Sequence, residues 1–498
     1  MNKVEYIKSR INRGFSFSNL GPNEARLFYD FFAGCSAIVT VMVFNYLFVH
    51  AKWEWWLLLL PIFLLFSNGV FGIYTYAKML TGKRKAVLLL GSLMAVSLLV
   101  MVLSSVPMLV FLWGVILAGP LVIPRILLAL PYGRHKKLIR TVVNQKGPVL
   151  VVGGAGYIGS HVVDLLLQEG KSVRVLDRLM YGTAPLSDFM NHRYFELIEG
   201  DATDIARLTM AMKDVSAVVH LAGLVGDPAC AVDPDFTRHT NIVSTRIIKD
   251  VAQSMGVYRF VFASSCSVYG VSDQEVKEGD ALNPVSLYAQ TKIDSERELL
   301  YSVRDDFFVT ILRFATVFGH SRRPRFDLVA NLFTAQGMTD GRIRVIGPHQ
   351  WRPFIHVRDL AKAVVMTLKA EPALMQGQIF NVGDKRLNMT IGQLGTQVGE
   401  IVAKRRAVEI IVEENEQDRR NYAVSFEKIR SVLGYEATIL LKEGIEEMVE
   451  NFKKGLYGYY RDEIYSNLAM TKEALSYFQD PMQSSRLYAP LTEQIKKD

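Results

Sequence analysis

The chain has 498 residues, half of them hydrophobic, with 21% charged side chains, 57 Lys and Arg against 49 Asp and Glu, and three cysteines. A mean hydropathy of +0.17 excludes a disordered polymer and argues against an ordinary soluble protein, while Cys35, Cys230 and Cys266 are too few and too scattered for a disulfide framework or a metal site. The net charge of +8 is not read as nucleic-acid binding, because much of the basic excess flanks apolar segments, where topology explains it.

Residues 1–30 are polar and mixed in charge, and are expected to form an N-terminal cytoplasmic segment rather than a cleavable signal. Four apolar runs follow at 31–49, 55–77, 86–103 and 108–130. Each is close to the ~20 residues that span ~30 Å of hydrocarbon, so 31–131 is expected to be an all-α region of four transmembrane helices in a lipid bilayer. Lys3, Lys8, Arg10, Arg13 and Arg26 precede the first run, Lys78, Lys83, Arg84 and Lys85 fill the second connection, and Arg134, Lys136, Lys137 and Arg140 follow the last. The first connection offers Lys52 beside Glu54, and the third carries no Lys or Arg. This alternation places both termini and everything after the fourth run on the cytoplasmic side of an inner, multi-pass membrane. The runs carry no row of ionisable residues suited to transport.

A basic linker, 132–146, leads into a region of different pattern, 147–455. A β-branched strand at 148–152 runs into Gly153-Gly-Ala-Gly-Tyr-Ile-Gly159 and then into helical apolar spacing at 160–168. Gly153 permits a tight turn, Gly156 lets the backbone approach a pyrophosphate, and Gly159 allows close helix packing, with the helix N-terminus supplying unpaired N–H groups. A second strand, 172–176, ends at Asp177, 18 residues after Gly159, where a carboxylate can bind the adenosine ribose hydroxyls. That spacing favours NAD; Arg178 next door leaves the 2′-phosphorylated form open. Strands at 194–198, 217–221 and 260–262 lead to Gly200-Asp201, Ala222-Gly223 and Ser264-Ser265. Their alternation with helical patterns indicates a doubly wound parallel (Rossmann) α/β sheet, with ligand contacts just past the strand carboxyl ends. Later strands at 308–312, 343–346 and 378–382, with a helix at 360–368, suggest a smaller C-terminal substrate lobe interleaved with the sheet. The tail, 456–498, is aromatic and charged without a readable motif, its role open between a dimer contact and a membrane-surface element.

Tyr288 and Lys292 stand four residues apart on one helix face. A phenol with an ordinary pKa near 10 is a weak base at neutral pH, and a nearby ammonium lowers that value. The pair could move a proton.

Taken together, Gly153-Gly-Ala-Gly-Tyr-Ile-Gly159, Asp201, His220-Leu-Ala-Gly223, Ser265 before Val268-Tyr-Gly270, Tyr288-Ala-Gln-Thr-Lys292, Leu312-Arg-Phe-Ala-Thr-Val-Phe-Gly319 and Arg352-Pro-Phe-Ile-His-Val-Arg-Asp359 resemble the extended short-chain dehydrogenase/reductase family. Within it the sequence is similar to nucleotide-sugar epimerases and dehydratases of the UDP-glucose 4-epimerase type, over about 147–440. The resemblance implies that Tyr288 exchanges a proton with a sugar hydroxyl. Lys292 would hold the nicotinamide ribose and depress the tyrosine pKa, Ser265 would hydrogen-bond the same hydroxyl, and NAD would take the hydride from carbon 4. It implies further cofactor contacts at Gly153, Gly156, Tyr157, Ile158, Gly159, Asp177, Asp201, Ala202, Leu221, Ala222, Gly223 and Asn241. Substrate contacts would come from Thr316 and from two arginines for the diphosphate, Arg352 and Arg420. By analogy with the family a homodimer is expected, and the scattered cysteines give no expectation of a metal site.

Family 4,6-dehydratases carry an acidic pair after the catalytic hydroxyl residue, because eliminating water needs a proton donor and a base. Here those positions are Cys266 and Ser267, which leaves reversible oxidation at carbon 4. The expectation is a membrane-anchored NAD-dependent nucleotide-sugar 4-epimerase in cell-envelope polysaccharide or glycolipid biosynthesis. An NAD(P)-dependent dehydrogenase or reductase and an epimerase of a polyprenyl-diphosphate-linked sugar stand as alternatives. A non-catalytic NAD-binding membrane scaffold would have been expected to lose Tyr288, Lys292 or Ser265, and all three are present.

Overall fold

The computed structural model describes residues 146–414 and 420–479, with side chains to residue 475. The four apolar runs, the orientation read from their basic flanks, and the end of the tail lie outside the described residues. Among the described residues, no helix is long and apolar enough to cross a membrane.

In chain order the strands are β1 (Val149–Val152), β2 (Val173–Asp177), β3 (Phe195–Glu199), β4 (Ala217–His220), β5 (Arg259–Ser265) and β6 (Phe308–Phe314), then β7 (Thr316–Phe318), β8 (Arg342–Ile346), β9 (Trp351–His356), β10 (Gln378–Val382), β11 (Asn388–Thr390) and β12 (Glu409–Glu413). The longer helices are α1 (Gly159–Gln168), α2 (Ser244–Ser254), α3 (Leu287–Leu300), α4 (Val329–Asp340), α5 (Val357–Lys369), α6 (Ile391–Ala403), α7 (Leu441–Lys453) and α8 (Asn467–Gln479).

Strands β1 and β4 are buried at every position, as unbroken Val and Leu runs require when helices cover both faces of a sheet. Alternate residues of β1 feed two cores. Val149 and Val151 pack with Val162 and Leu166 of α1 and with Leu360 and Val364 of α5. Leu150 and Val152 pack with Ile248 and Ala252 of α2 and Leu299 of α3. The result is a seven-stranded sheet in the order β10-β6-β5-β4-β1-β2-β3, parallel throughout. The chain builds outward from β1 to β3 and then crosses back to start β4. This reversal opens a crevice beyond the carboxyl ends of β1 and β4, where ligands of doubly wound sheets bind.

The second lobe is built from a three-stranded sheet, β11-β9-β7, and a parallel pair, β12 with β8. Its core sets Phe333 of α4 and Leu394 and Val398 of α6 against Ile343 and Val345 of β8 and Ile445 of α7. The boundary expected at 455 is not where packing ends. Tyr457 and Tyr460 join Phe326 and Met448 in a further aromatic cluster, so the folded body continues into α8.

One buried network fixes α3 against the sheet. Arg313 of β6 and Glu296 of α3, each 3% exposed, form a 2.7 Å ion pair. Ser264 of β5 donates to Glu296 Oε1 at 2.5 Å, Arg313 donates to the Tyr269 hydroxyl at 2.9 Å, and that hydroxyl donates to Asn381 of β10 at 2.8 Å. Removing one partner of such a pair strands a charge in the interior. Glu296→Ala is therefore expected to lower unfolding stability by about 3–5 kcal/mol, read by chemical denaturation; a loss below 1 kcal/mol would contradict the role given to the pair.

Candidate active site

The first wall of the crevice is the glycine turn. Gly153 has φ +87°, and a Cβ there would lie 2.7 Å from the Ala222 nitrogen; a Cβ on Gly159 would lie 2.2 Å from the Gly153 carbonyl oxygen. Both positions therefore require glycine on backbone grounds. A Cβ on Gly156 would meet only the Gly153 oxygen, at 3.4 Å, and Gly156 lines the cleft. Asp177 secures the turn by accepting from the Ala155 N–H at 2.9 Å and the Leu179 N–H at 2.8 Å, and burial pushes its carboxyl up from the ordinary range. Gly153, Gly156, Asp177, Asp201, Ala202, Leu221, Ala222 and Gly223 are brought together around one cleft. A glycine cradle, a carboxylate at the end of β2 and a third acidic wall fit a dinucleotide. Arg178 pairs with Asp201 at 3.5 Å.

Some expected contacts fall elsewhere. The Tyr157 side chain is buried away from the cleft, its hydroxyl donating to the Gly319 carbonyl at 2.7 Å and accepting from Asn331 at 3.2 Å, which joins the two lobes. Ile158 caps α1 and packs on the core. Asn241 sits in a π-helical turn, His239–Val243, a distortion common at functional sites. Its amide exchanges hydrogen bonds with Leu224, at 2.7 and 3.0 Å, and donates to Thr291 at 3.1 Å. It shapes the loop after β4 from behind. His220 is fully buried beside Thr245, and burial lowers its pKa to about 3, which favours the neutral imidazole.

Ser265 ends β5, its hydroxyl accepting from the Ser267 N–H at 3.2 Å. Ser286 caps α3 by accepting from the Ala289 N–H, which sets Tyr288 in the first turn and Lys292 one turn on. Ser265 is the hydrogen-bond partner of the Tyr288 phenol. Lys292 Nζ donates to the Ala263 carbonyl at 2.8 Å and lies 5.7 Å from the Tyr288 ring centre. The three side chains therefore converge. Burial raises the Tyr288 pKa, and the hydrogen bond from Ser265 opposes that shift. Lys292 itself is lowered to about 8 by burial.

On the substrate side, Thr316 is half-buried at the start of β7. Arg352 is almost wholly buried and donates to the carbonyls of Trp351 and Arg420, so part of its work is to hold the 420 segment. Arg420 pairs with Asp227 at 3.2 Å. Sequence reasoning missed Asp227, although an acid in the loop after a central strand was a readable signal. Its Oδ1 is buried and has no hydrogen-bond partner, as is the Ser267 hydroxyl. Cys266 and Cys230 are buried and donate to the carbonyls of Arg313 and Leu224; burial pushes the Cys230 thiol up to about 12 and the Cys266 thiol higher, so neither is a nucleophile.

Residues 149–383 match the model for the NAD dependent epimerase/dehydratase family. A dTDP-D-glucose 4,6-dehydratase from Mus musculus is 28% identical over 333 residues, 62% of this chain and 90% of its own. A UDP-glucose 4-epimerase from Lactobacillus helveticus is 29% identical over 254 residues, 47% and 76% of the respective chains. Among solved structures, MoeE5 in complex with UDP-glucuronic acid and NAD is 28% identical with a TM-score of 0.55, covering 62% of this chain and all of that one. Residues 149–383 are thus similar to the NAD dependent epimerase/dehydratase family, and the relatives include both UDP-glucose 4-epimerases and a dehydratase.

The depressed Lys292 pKa has a stability consequence. The folded state binds fewer protons than the unfolded chain between about pH 8 and the ordinary lysine pKa near 10.4, so this group's contribution to stability rises with pH across that window and is least favourable below it. Lys292→Met is expected to raise the thermal midpoint at pH 7, with the gain shrinking above about pH 8; a gain that is constant from pH 7 to pH 10 would refute this.

Proposed function

We propose that this chain is a membrane-anchored, NAD-dependent nucleotide-sugar 4-epimerase of cell-envelope polysaccharide or glycolipid assembly. The observation that carries the reading is the convergence of Ser265, Tyr288 and Lys292 beside the dinucleotide cleft, with Cys266 and Ser267, neither a carboxylate, following the serine. The four apolar runs with alternating basic flanks support the anchor and a cytoplasmic catalytic region. A sugar carried on a polyprenyl diphosphate is as compatible with the two arginines as a nucleotide sugar is.

NAD held by the glycine turn, Asp177 and Asp201 would supply reversible hydride transfer at sugar carbon 4 and a positively charged ring in the site. Tyr288, acting as the phenolate that the positive charges of Lys292 and of a bound pyridinium ring would favour against burial, receives the proton of the 4-hydroxyl as the carbonyl forms and gives it back when the carbonyl is reduced. Reduction of that carbonyl from its opposite face would give the epimer. Ser265 shares the hydrogen bond of that oxygen, and Lys292 holds positive charge behind the phenol. The unpartnered Ser267 hydroxyl stands where dehydratases place an acid and is suited to a sugar hydroxyl. Arg420 is poised to exchange Asp227 for a diphosphate oxygen.

Full-length protein in detergent, given UDP-, TDP-, GDP- and CDP-sugars without added cofactor, is expected to form the C4 epimer with no net NADH, followed by NMR of the anomeric protons. Stoichiometric dependence on NADH would replace the epimerase by a reductase. Tyr288→Phe is expected to lower turnover by about 10²–10⁴-fold. Arg420→Ala is expected to raise KM by about tenfold with little change in kcat, as loss of a charge-assisted contact to a bound diphosphate does; unchanged KM would remove Arg420 from the substrate site.

A further inference from the structure

The dinucleotide cleft has a wall that lies well beyond residue 383, where the family match ends. Asn467 and Thr471, one turn apart on α8, line the cleft with Asp177, Tyr181, Asp201 and Leu221. They are 7% and 2% exposed. Asn467 ties together three segments arriving from different strand ends. Its Oδ1 accepts from the Tyr181 hydroxyl at 3.2 Å, after β2, and from Arg323 Nη2 at 2.9 Å, after β7; its Nδ2 donates to the Val225 carbonyl at 3.1 Å, after β4. Thr471 donates to the Asn467 carbonyl at 2.8 Å.

Arg323, 4% exposed, stacks on the Tyr181 ring with its guanidinium carbon 3.7 Å from the ring centre. Its Nε has no hydrogen-bond acceptor. The helix is therefore built into the cleft by buried polar contacts.

We propose that α8 is a retaining wall for the dinucleotide, with Asn467 and Thr471 contacting its adenosine side and Arg323 positioning Tyr181 and Asn467 around it. The inference rests on the cleft and on NAD as the cofactor, and is independent of which sugar reaction is run. Its effect is on escape: the cofactor leaves only when the Asn467 contacts open, so dissociation is slowed.

The test loads full-length protein with NADH, chases it with excess NAD and follows the loss of NADH fluorescence, with thermal unfolding measured in parallel. Asn467→Ala is expected to release NADH at least tenfold faster with the unfolding transition retained, while Lys472→Ala, at an exposed position of the same helix, releases it at the wild-type rate. A chain ending at Ser466 is expected to match Asn467→Ala; if that chain fails to fold, the point variant decides. Release from Asn467→Ala within twofold of wild type, or acceleration of the same size in Lys472→Ala, overturns the proposal. Neither readout involves sugar turnover, so failure of the epimerase reading leaves this result standing.

Discussion

The site depends on a charge that cannot be left alone. Arg313 and Glu296 are both almost completely withdrawn from water, where an ion without its partner is far more costly than the pair itself. Satisfying that pair, and the Ser264 and Tyr269 hydroxyls attached to it, fixes α3 against β5 and β6. Tyr288 and Lys292 ride on α3, and Ser265 is the residue after Ser264. The interior ion pair therefore sets the distance between phenol and serine, although it touches neither. A sheet held only by apolar contacts could tolerate sliding of a helix along it; a bidentate contact with a fixed geometry does not.

Much of this was readable in the chain. The central strands appear in the sequence as short apolar runs because both faces are covered, and the Gly153 to Gly159 turn falls between a strand and a helix as its spacing implies. The second lobe was legible only in part. β7 and β11 have three residues each, too few to show a period, and β9 is interrupted by Pro353, which argues locally against a strand. The Glu409-Ile-Ile-Val-Glu413 run of β12 carried a strand signal that could have been read.

The residues that complete the site find their partners only in the fold. Asp227 meets Arg420, and Asn467 meets Tyr181, only because the sheet topology brings distant strand ends together. The Tyr288 and Lys292 pair teaches a different lesson. Spacing placed them one turn apart, but the direction of each pKa is set by burial, which depends on everything packed around them and is invisible in a four-residue interval. The tail looked featureless for the same reason: Tyr457, Tyr460 and Asn467 acquire meaning from partners far along the chain.

The order of the strands also limits how such a molecule can be rearranged. The chain leaves the large sheet after β6, builds β7 to β9 in the lobe, returns to place β10 beside β6, and goes back to the lobe for β11 and β12. No single cut separates the two halves, so neither is a cassette that recombination or grafting could exchange whole. Diversification toward a new ligand would have to proceed through replacement of individual connections, such as the 319–328 segment, while the crossings themselves stay in place.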